Sequence, residues 1–282
     1  MRKFLYLVQG QSDLVKNFLH LTKRSNASAI FLTFDKPIKE AAYLPNSTWA
    51  QGRNKMLEIA STKKDYLYYI FCDDDITFKK GGWDEFEKYL TTIRPAIAIP
   101  VFLEKIKKTP LLWLRYNSFL FNDEQMIAFH RDVVKDCIVL PYQSRFDDIH
   151  WWASCRIQQI LIQNFYSSNS IQLNNIHISN EFRLRYPNSY TRMIKFKKYV
   201  RDWCDNQFKR NYKDIKMSIR KNILTILWST LKFAIHSNHN RRNLNYSINE
   251  NEMRNILFDN SELHKQYLEG LITYSNRKIQ RY

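Results

Sequence analysis

The chain has 282 residues, of which 44% are hydrophobic and 15% aromatic, so an intrinsically disordered protein is excluded. Only 5 glycines and 7 prolines occur, which argues against a collagen-like, repeat-rich or linker-rich protein. The 4 cysteines form no Cys-x-x-Cys pair, which excludes the usual zinc-ribbon spacing and favours a reducing, cytoplasmic setting. No run of eighteen uncharged apolar residues occurs in the sequence, so no membrane-spanning helix is predicted.

The net charge of +17 is concentrated in one part of the chain. Residues 191–242 carry 14 Lys and Arg against 3 Asp, a balance of +11. Such a segment either faces an anionic partner or is well solvated.

The first half of the chain alternates strand-like and helix-like segments. Apolar runs predict strands at residues 3–8, 29–33, 66–72 and 96–101. Helical spacing predicts helices at residues 12–23, 48–61 and 85–92, with Ser47 or Thr48 as the N-cap of the second. Alternation of this kind predicts an α/β sheet with helices packed on it.

The pattern continues through residues 126–134, a helix at 147–164 and a strand at 170–178. Beyond residue 190 the sequence becomes basic, with helical periodicity and few turn signals. We therefore predict a catalytic α/β domain at residues 1–190 and a basic α-helical extension at residues 191–282.

The sharpest feature is the apolar strand YLYYIFC, which runs directly into Asp73, Asp74 and Asp75. Ligands of open α/β sheets bind beyond the carboxyl ends of the strands. Carboxylate oxygens at that position suit a hard divalent cation, and a cation keeps adjacent like charges ionised. The alternative is a solvated acidic turn, or a set of caps for the next helix.

With this motif the sequence resembles nucleotide-sugar glycosyltransferases of the GT-A fold, particularly family-2-like bacterial enzymes, whose hallmark is a strand ending in Asp-x-Asp. The resemblance implies a Rossmann-like, mixed and mostly parallel sheet flanked by helices. It assigns Asp73 to the donor's ribose and to the metal, and Asp75 to the metal that bridges the diphosphate. Asp74 takes part in either role, because three consecutive aspartates leave the register ambiguous.

Other segments match the family in order and spacing. The resemblance assigns Gln9 and Gly10, in the loop after the first strand, to the nucleotide, and Asp35, after the second strand, to the base. It assigns Arg53 and Asn54, in the segment WAQGRN, to the nucleotide, and an arginine beside a helix N-terminus suits a diphosphate. The alternative for Arg53 is a surface position on an amphipathic helix.

The segment RFDDIHWW resembles the acidic pair at the start of the helix that lines the acceptor site. By this match Asp148 is the first choice for the general base and Asp147 the second, and a base at this position implies inversion. Both aspartates also suit an ordinary helix N-terminus. The resemblance offers His177, in the last strand, as a further metal or phosphate ligand, although an isolated histidine in a strand is more often structural.

The implied activity is transfer of a sugar from a nucleotide diphosphate donor, most simply a UDP-sugar, with Mn²⁺ or Mg²⁺ as cofactor. The acceptor would be a saccharide or lipid-linked glycan, in bacterial surface polysaccharide or lipopolysaccharide synthesis. The alternatives are a nucleotidyltransferase with the same metal site, and a non-enzymatic basic module that binds a membrane or nucleic acid. No nucleic-acid motif accompanies the charge, so nucleic acid is not expected.

The basic extension interleaves cations with aromatic and aliphatic residues. A basic helix with an apolar face can lie in a membrane interface, which predicts a peripheral location at the inner face of the plasma membrane. A helix packed on the catalytic domain, with its basic side in water, explains the same pattern equally well.

Overall fold

The computed structural model describes residues 2–63, 65–108, 111–118, 124–136, 139–144, 147, 153–166, 169–180 and 223–235. The predicted domain boundary near residue 190 and most of the basic extension lie outside these residues, as does Asp148.

The described residues form nine strands and six α-helices. The strands are β1 (Phe4–Gly10), β2 (Ala27–Thr33), β3 (Ala42–Tyr43), β4 (Tyr68–Asp73), β5 (Ile76–Lys80), β6 (Ile97–Phe102), β7 (Tyr116–Ser118), β8 (Met126–His130) and β9 (Ser170–Asn180). The helices are α1 (Ser12–Val15), α2 (Trp49–Ser61), α3 (Trp83–Ile93), α4 (Arg131–Asp136), α5 (Ala153–Phe165) and α6 (Ile223–Ile235). Two 3₁₀ helices, Lys16–Lys23 and Leu103–Lys108, complete these elements.

All nine strands of the described part form one mixed sheet, with the order β3-β2-β1-β4-β8-β6-β9-β5 and with β7 paired to β9. Strands β1, β2, β3 and β4 pair in parallel, and β6 and β9 share their direction. Only β5, β7 and β8 of this sheet run the opposite way. The predicted α/β class and mostly parallel sheet are therefore confirmed.

The neighbouring parallel strands β1 and β4 are buried on both faces, as expected for parallel strands that are covered by helices. Leu5 and Leu7 of β1 belong to a core layer with residues of α2 and α5. Tyr6 and Val8, the alternating positions, belong to a second layer with residues of the first 3₁₀ helix and α3. The helices packed on both faces hold the strands in position, and this sets the place of the strand ends at which the site lies.

A buried carboxylate fastens α3 to the sheet. Glu87 accepts hydrogen bonds from Tyr6 Oη at 2.6 Å and Asn26 Nδ2 at 2.9 Å. It also accepts from Arg24, whose Nε and Nη2 lie at 3.1 and 3.0 Å. Burial, together with the adjacent Glu87 charge, raises the pKa of Tyr6 well above its ordinary value. The tyrosine therefore stays a donor to this carboxylate.

No helix in the described ranges is both long enough and apolar enough to cross a membrane.

Candidate active site

The carboxyl ends of β1 and β4 meet at one edge of the sheet. Pairing in register places Gln9 opposite Asp73, and Gly10 is the last residue of β1. The next parallel strand, β2, ends beside them, with Thr33 opposite Gly10. Of the residues predicted to bind the donor, Gln9, Gly10 and Asp73 therefore lie at adjacent strand ends, and Asp35 follows the third strand, as the parallel topology requires.

Helix α2 covers this edge and begins at a well-formed cap. Thr48 Oγ1 accepts a hydrogen bond from the backbone N–H of Gln51 at 3.2 Å, and Gln51 Oε1 accepts one from the N–H of Thr48 at 2.9 Å. This reciprocal pair is a capping box, and it confirms Thr48 as the N-cap. It fixes the first turn of α2, which carries Trp49 and, one turn later, Arg53.

One oxygen of Asp73 is held by two donors from α2. Asp73 Oδ1 accepts from Arg53 Nη2 at 2.9 Å and from Trp49 Nε1 at 3.0 Å. The backbone N–H of Asp73 donates to the carbonyl of Gln125 at 2.8 Å. The side chain of Asp73 remains 22% exposed, so the carboxylate is fixed in place and still reaches the surface of the site.

Arg53 itself is completely buried. Its Nη2 also donates to the carbonyl of Glu124 at 2.6 Å, its Nη1 donates to Tyr142 Oη at 3.1 Å, and its guanidinium lies 4.0 Å from the ring centre of Trp49. Burial acts to lower the pKa of Arg53, but Tyr142, Asp73 and Glu124 raise it overall. Arg53, which the sequence assigned to the nucleotide, is enclosed in this structure and orients Asp73; its assignment to the nucleotide stays a prediction.

Asp74 lies against the backbone at the end of β1. Its Oδ2 accepts a short hydrogen bond from the N–H of Gln11, and its side chain occupies the space that a Cβ on Gly10 would need. A glycine is therefore required at position 10, because the Asp74 side chain approaches its Cα too closely for any Cβ. Gly10 and Asp74, both assigned to the nucleotide from the sequence, therefore lie against each other, and the backbone of the loop after β1 donates to the Asp74 carboxylate.

Asp75 differs from its two neighbours because one of its oxygens is buried without a donor. Its Oδ1 makes no hydrogen bond, and neither does Oδ1 of Asn180, the residue at the end of β9. Burial, reinforced by the charges of Asp73 and Asp74, raises the pKa of Asp75 to about 7, against a side-chain hydrogen bond from Asn180 that lowers it. Two buried acceptor oxygens at one strand end form a place for a cation or for a ligand's donors.

The carboxamide of Gln9 is a further buried polar group at this edge. The residue is 3% exposed, and neither Oε1 nor Nε2 has a hydrogen-bond partner. Its side chain packs on Gly52 of α2, where an added Cβ would come within 2.6 Å of the carboxamide. Gln9 is thus placed beneath the site, between β1 and α2.

Asp35 lies after β2 and closes the start of α1. Its Oδ1 accepts from the N–H of Ser12 at 2.9 Å and its Oδ2 from Ser12 Oγ at 2.9 Å. Burial acts to raise the pKa of Asp35, but hydrogen bonds from Ser12 and Lys36 lower it overall. Both oxygens accept from the protein's own backbone and hydroxyl groups, and the assignment of Asp35 to the base stays a prediction.

Asn54 is likewise fully engaged inside the protein. Its Nδ2 donates to the carbonyl of Tyr142 at 2.8 Å, and its Oδ1 accepts from the N–H of Tyr142 at 2.7 Å. Both polar atoms of its carboxamide are thus used by this reciprocal pair, and the assignment of Asn54 to the nucleotide stays a prediction. The residue joins α2 to the segment at residues 139–144.

Asp147, the second choice for the general base, is 2% exposed. Its Oδ2 accepts a short hydrogen bond from Thr48 Oγ1, and its Oδ1 contacts the hydroxyl of Ser154 at 2.5 Å. The carboxylate therefore joins the N-cap of α2 to the first turn of α5. The catalytic assignment of Asp147 stays a prediction, and Asp148 lies outside the described residues.

His177 is not placed with the aspartates. Its Nε2 donates to the carbonyl of Asn174 at 2.9 Å. In the pairing of β9 with β5, His177 lies opposite Lys80, whereas Asn180 lies opposite Ile76. Three positions along a strand correspond to about 10 Å. The structure therefore places Asn180, and not His177, beside the turn that carries the aspartates, and the assignment of His177 to the metal stays a prediction.

Within the described ranges, no three His, Cys, Asp or Glu side chains form a cluster that could hold a metal ion by themselves. The donor set is nevertheless suitable for a hard cation, because Asp75 Oδ1 and Asn180 Oδ1 are oxygen acceptors without donors. Mg²⁺ is commonly held by one or two carboxylates with waters and substrate phosphates supplying the other ligands. The residues present fit such a shared site.

Four residues of the site were missed from the sequence: Trp49, Glu124, Tyr142 and Asn180. Trp49 stands in the segment that drew attention to Arg53, and its N–H donor was the available signal. Nothing local marked the other three, since they reach the site only through the pairing of β8 and β9 and the path of residues 139–144.

No protein-family model matches the sequence, and no curated protein matches it. Among solved structures, TarS from S. aureus in complex with UDP-GlcNAc aligns with a TM-score of 0.46 and 9% identity, covering 97% of this chain and 73% of that one. CMP:2-keto-3-deoxy-manno-octonic acid synthetase, solved with CTP, aligns with a TM-score of 0.36 and 11% identity, covering 71% and 99%. A197 from STIV aligns with 0.32 and 12%, covering 48% and 68%. These scores and identities are too low to support any statement about activity.

Proposed function

We propose that the chain is a glycosyltransferase that moves a sugar from a nucleotide diphosphate-sugar, most simply a UDP-sugar, to a saccharide or lipid-linked glycan. The observation that carries this proposal is the pair of buried, donor-free oxygens on Asp75 and Asn180, beside the partly exposed carboxylate of Asp73. Buried acceptors without donors are rare in folded proteins and need a partner. A cation shared with a diphosphate supplies that partner.

In this proposal Mn²⁺ or Mg²⁺ would be held by Asp75 and Asn180, together with the Asp73 oxygen that does not accept from Arg53 and Trp49. When bound, the metal supplies positive charge that offsets the negative charge developing on the diphosphate leaving group. Arg53 and Trp49 hold the Asp73 carboxylate in its orientation, because both donate to its Oδ1. Gln11, through its backbone N–H, keeps the carboxylate of Asp74 turned toward β1.

The proposed reaction exchanges one bond at the anomeric carbon. An acceptor hydroxyl oxygen forms a bond to that carbon as the bond to the diphosphate oxygen breaks, and the diphosphate leaves with the electron pair. The hydroxyl's proton passes to a carboxylate acting as general base. Asp148 is the proposed base on sequence grounds, because its neighbour Asp147 is buried against Thr48 and Ser154. A single displacement of this kind inverts the anomeric centre.

Calorimetric titration with UDP, with and without Mn²⁺, tests the donor site. Wild type should bind UDP only weakly without Mn²⁺, and Asp75→Asn and Asn180→Ala should each weaken Mn²⁺-dependent binding by about tenfold or more, which equals about 1.4 kcal/mol. Asp65→Asn is the matched control, because Asp65 precedes the opposite end of β4 and pairs with Lys135 at 2.6 Å on the surface. Binding that is unchanged in Asp75→Asn at saturating Mn²⁺ would refute the assignment.

The released product separates the two enzymatic alternatives. Sugar transfer liberates a nucleoside diphosphate, whereas nucleotidyl transfer liberates pyrophosphate. Turnover of UDP-sugars with glycan acceptors should yield UDP, whereas incubation with nucleoside triphosphates and sugar phosphates should yield no pyrophosphate. Pyrophosphate release that is lost in Asp75→Asn would overturn the glycosyltransferase proposal while leaving the metal site intact.

A further inference from the structure

Helix α6 lies against β7. Thr230 Oγ1 accepts a hydrogen bond from the backbone N–H of Ser118, at the end of β7, at 2.9 Å. The same hydroxyl donates to the carbonyl of Ile226 at 2.7 Å, and Ile226 is 3% exposed. The contact with β7 thus fixes which side of α6 faces the protein.

Other positions of α6 present a row of large apolar side chains to solvent. Leu224, Leu227, Trp228 and Leu231 are 68%, 39%, 59% and 50% exposed. Their spacing of i, i+3, i+4 and i+7 is that of one continuous helical stripe. We call these four residues the α6 stripe. Scattered apolar residues are common on protein surfaces, but a contiguous stripe marks an interaction surface.

A second exposed aromatic is attached to the same strand. Trp113, in the turn before β7, is 79% exposed. The turn is held rigidly, because Asn174 Nδ2 donates to the carbonyls of both Leu111 and Leu114 at 3.0 Å. Leu111 adopts a φ of 58°, a conformation that is unusual for a bulky residue and marks a turn under constraint. The indole of Trp113 is therefore exposed to solvent on a turn whose backbone is held in place.

The sequence around both features is cationic. Residues 216–232 contain four Lys and Arg and no Asp or Glu. Residues 103–115, which lead to Trp113 and end at the exposed Arg115, contain four Lys and Arg against Glu104. An apolar stripe alone would suit a second protein surface. Apolar residues flanked by cations instead match a bilayer with anionic headgroups, where indoles lie at the interface and lysines and arginines meet the lipid phosphates.

We propose that the α6 stripe and Trp113 form a docking surface for an anionic lipid bilayer. The stripe and the indole enter the interface, and the exposed Arg115 beside Trp113 contacts the headgroups. This surface is separate from the proposed donor site, so the proposal stands or fails independently of the glycosyltransferase activity.

Flotation of the full chain with lipid vesicles tests the proposal. We expect flotation with vesicles that mix phosphatidylcholine and phosphatidylglycerol, about tenfold less with phosphatidylcholine alone, and weakening by added salt. Leu227→Ser combined with Trp228→Ser should lower partitioning about tenfold or more, and Trp113→Ser should lower it separately. Tyr43→Ser is the matched control, because Tyr43 is a 42% exposed aromatic on β3, at the far end of the sheet order.

Thermal unfolding of each variant shows whether it is folded, and the single Trp113→Ser variant keeps the test valid if the double variant is not. Absence of flotation with anionic vesicles, or equal flotation with neutral ones, would overturn the proposal. So would a wild-type dimer in sedimentation that the double variant converts to a monomer without any change in lipid binding, because the stripe would then join two copies of the chain.

Discussion

Arg53 and Asp73 form an ion pair of 2.9 Å in which the cation is completely enclosed and the carboxylate remains 22% exposed. Trp49 contributes to both partners: its ring lies over the guanidinium, and its N–H donates to the same carboxylate oxygen. Helix α2 thereby determines the orientation of the first aspartate of the triplet. The three consecutive aspartates, residues 73–75, do not form a solvated acidic turn, because each carboxylate has a different partner.

Replacement of Arg53 should be strongly destabilising. Arg53→Met removes the donors to Asp73, to the carbonyl of Glu124 and to Tyr142, and breaking a buried pair of this kind costs about 3–5 kcal/mol. The measurement is the free energy of unfolding in urea. Lys55→Ala is the control on the same helix, because its pair with Glu58 is on the surface, and it should change stability by less than about 1 kcal/mol. Equal effects of the two substitutions would contradict the buried pair.

Gly10→Ala should displace the carboxylate of Asp74. The added methyl group would occupy the same space as that side chain, so Asp74 must leave the N–H of Gln11. We expect Mn²⁺-dependent UDP affinity to fall about tenfold, equal to about 1.4 kcal/mol, with a loss of stability of about 1–3 kcal/mol from overpacking. Gly82→Ala is the control, because nothing lies within 4 Å of the place that its added methyl group would take. Unchanged UDP binding by Gly10→Ala would show that Asp74 is not needed at β1.

The metal-free protein should become less stable as the pH rises from about 4 to about 7. The pKa of Asp75 is raised to about 7 in the folded chain, so the folded state retains a proton that the unfolded state has released. The loss of stability from ionising buried Asp75 is absent below the pKa of this carboxyl in the unfolded chain. It grows across this window and is complete above the pKa in the folded chain. Asp75→Asn should therefore stabilise the chain at pH 8, in the presence of a chelator, by on the order of 2 kcal/mol.

The measurement for Asp75 is the difference between the unfolding free energies of the variant and the wild type, at several pH values. That difference should grow across the window and then level off. Asp65→Asn, whose carboxylate is on the surface, should show no such trend. A difference for Asp75→Asn that does not vary with pH would argue against a buried, uncompensated carboxylate.

Glu87→Gln should destabilise the second core layer without affecting the donor site. The amide can accept at one atom only, so the donors Tyr6, Arg24 and Asn26 compete for it. We expect a loss of about 3 kcal/mol in unfolding free energy. Glu85→Gln, an exposed position in the same helix, should cost less than about 1 kcal/mol. A loss of UDP affinity in folded Glu87→Gln would contradict the separation between this anchor and the site.

The sequence was sufficient to predict the long elements because their burial imposes a pattern. Strands β1, β2, β4, β6 and β9 correspond to predicted strands, and the capped helix α2 was predicted with its N-cap. The short strands β3, β5 and β7 were not predicted, since only pairing with distant strands makes them extended. The helix predicted at residues 12–23 is α-helical for one turn and then 3₁₀, because side-chain spacing does not distinguish the two hydrogen-bond patterns.

The sequence predicted where several site residues meet, but not the internal hydrogen bonds that they make. Gln9, Gly10 and the aspartates do meet at one sheet edge, because parallel strands end together. The partners of Arg53, Asn54, Asp35 and Asp147 could not be predicted, since each pairs with a residue that tertiary structure brings from elsewhere. A polar residue near a strand end is equally suited to a ligand or to the protein's own backbone, and sequence spacing does not separate these uses.

The first two turns of α2 connect regions that lie far apart in the chain: Thr48 contacts Asp147, Trp49 and Arg53 contact Asp73, and Asn54 contacts Tyr142. A change at any one of these positions leaves a buried group without its partner. In descendants of this chain we therefore expect these positions to change as matched sets or to stay fixed, while exposed positions of the same helix, such as Lys55 and Glu58, drift freely.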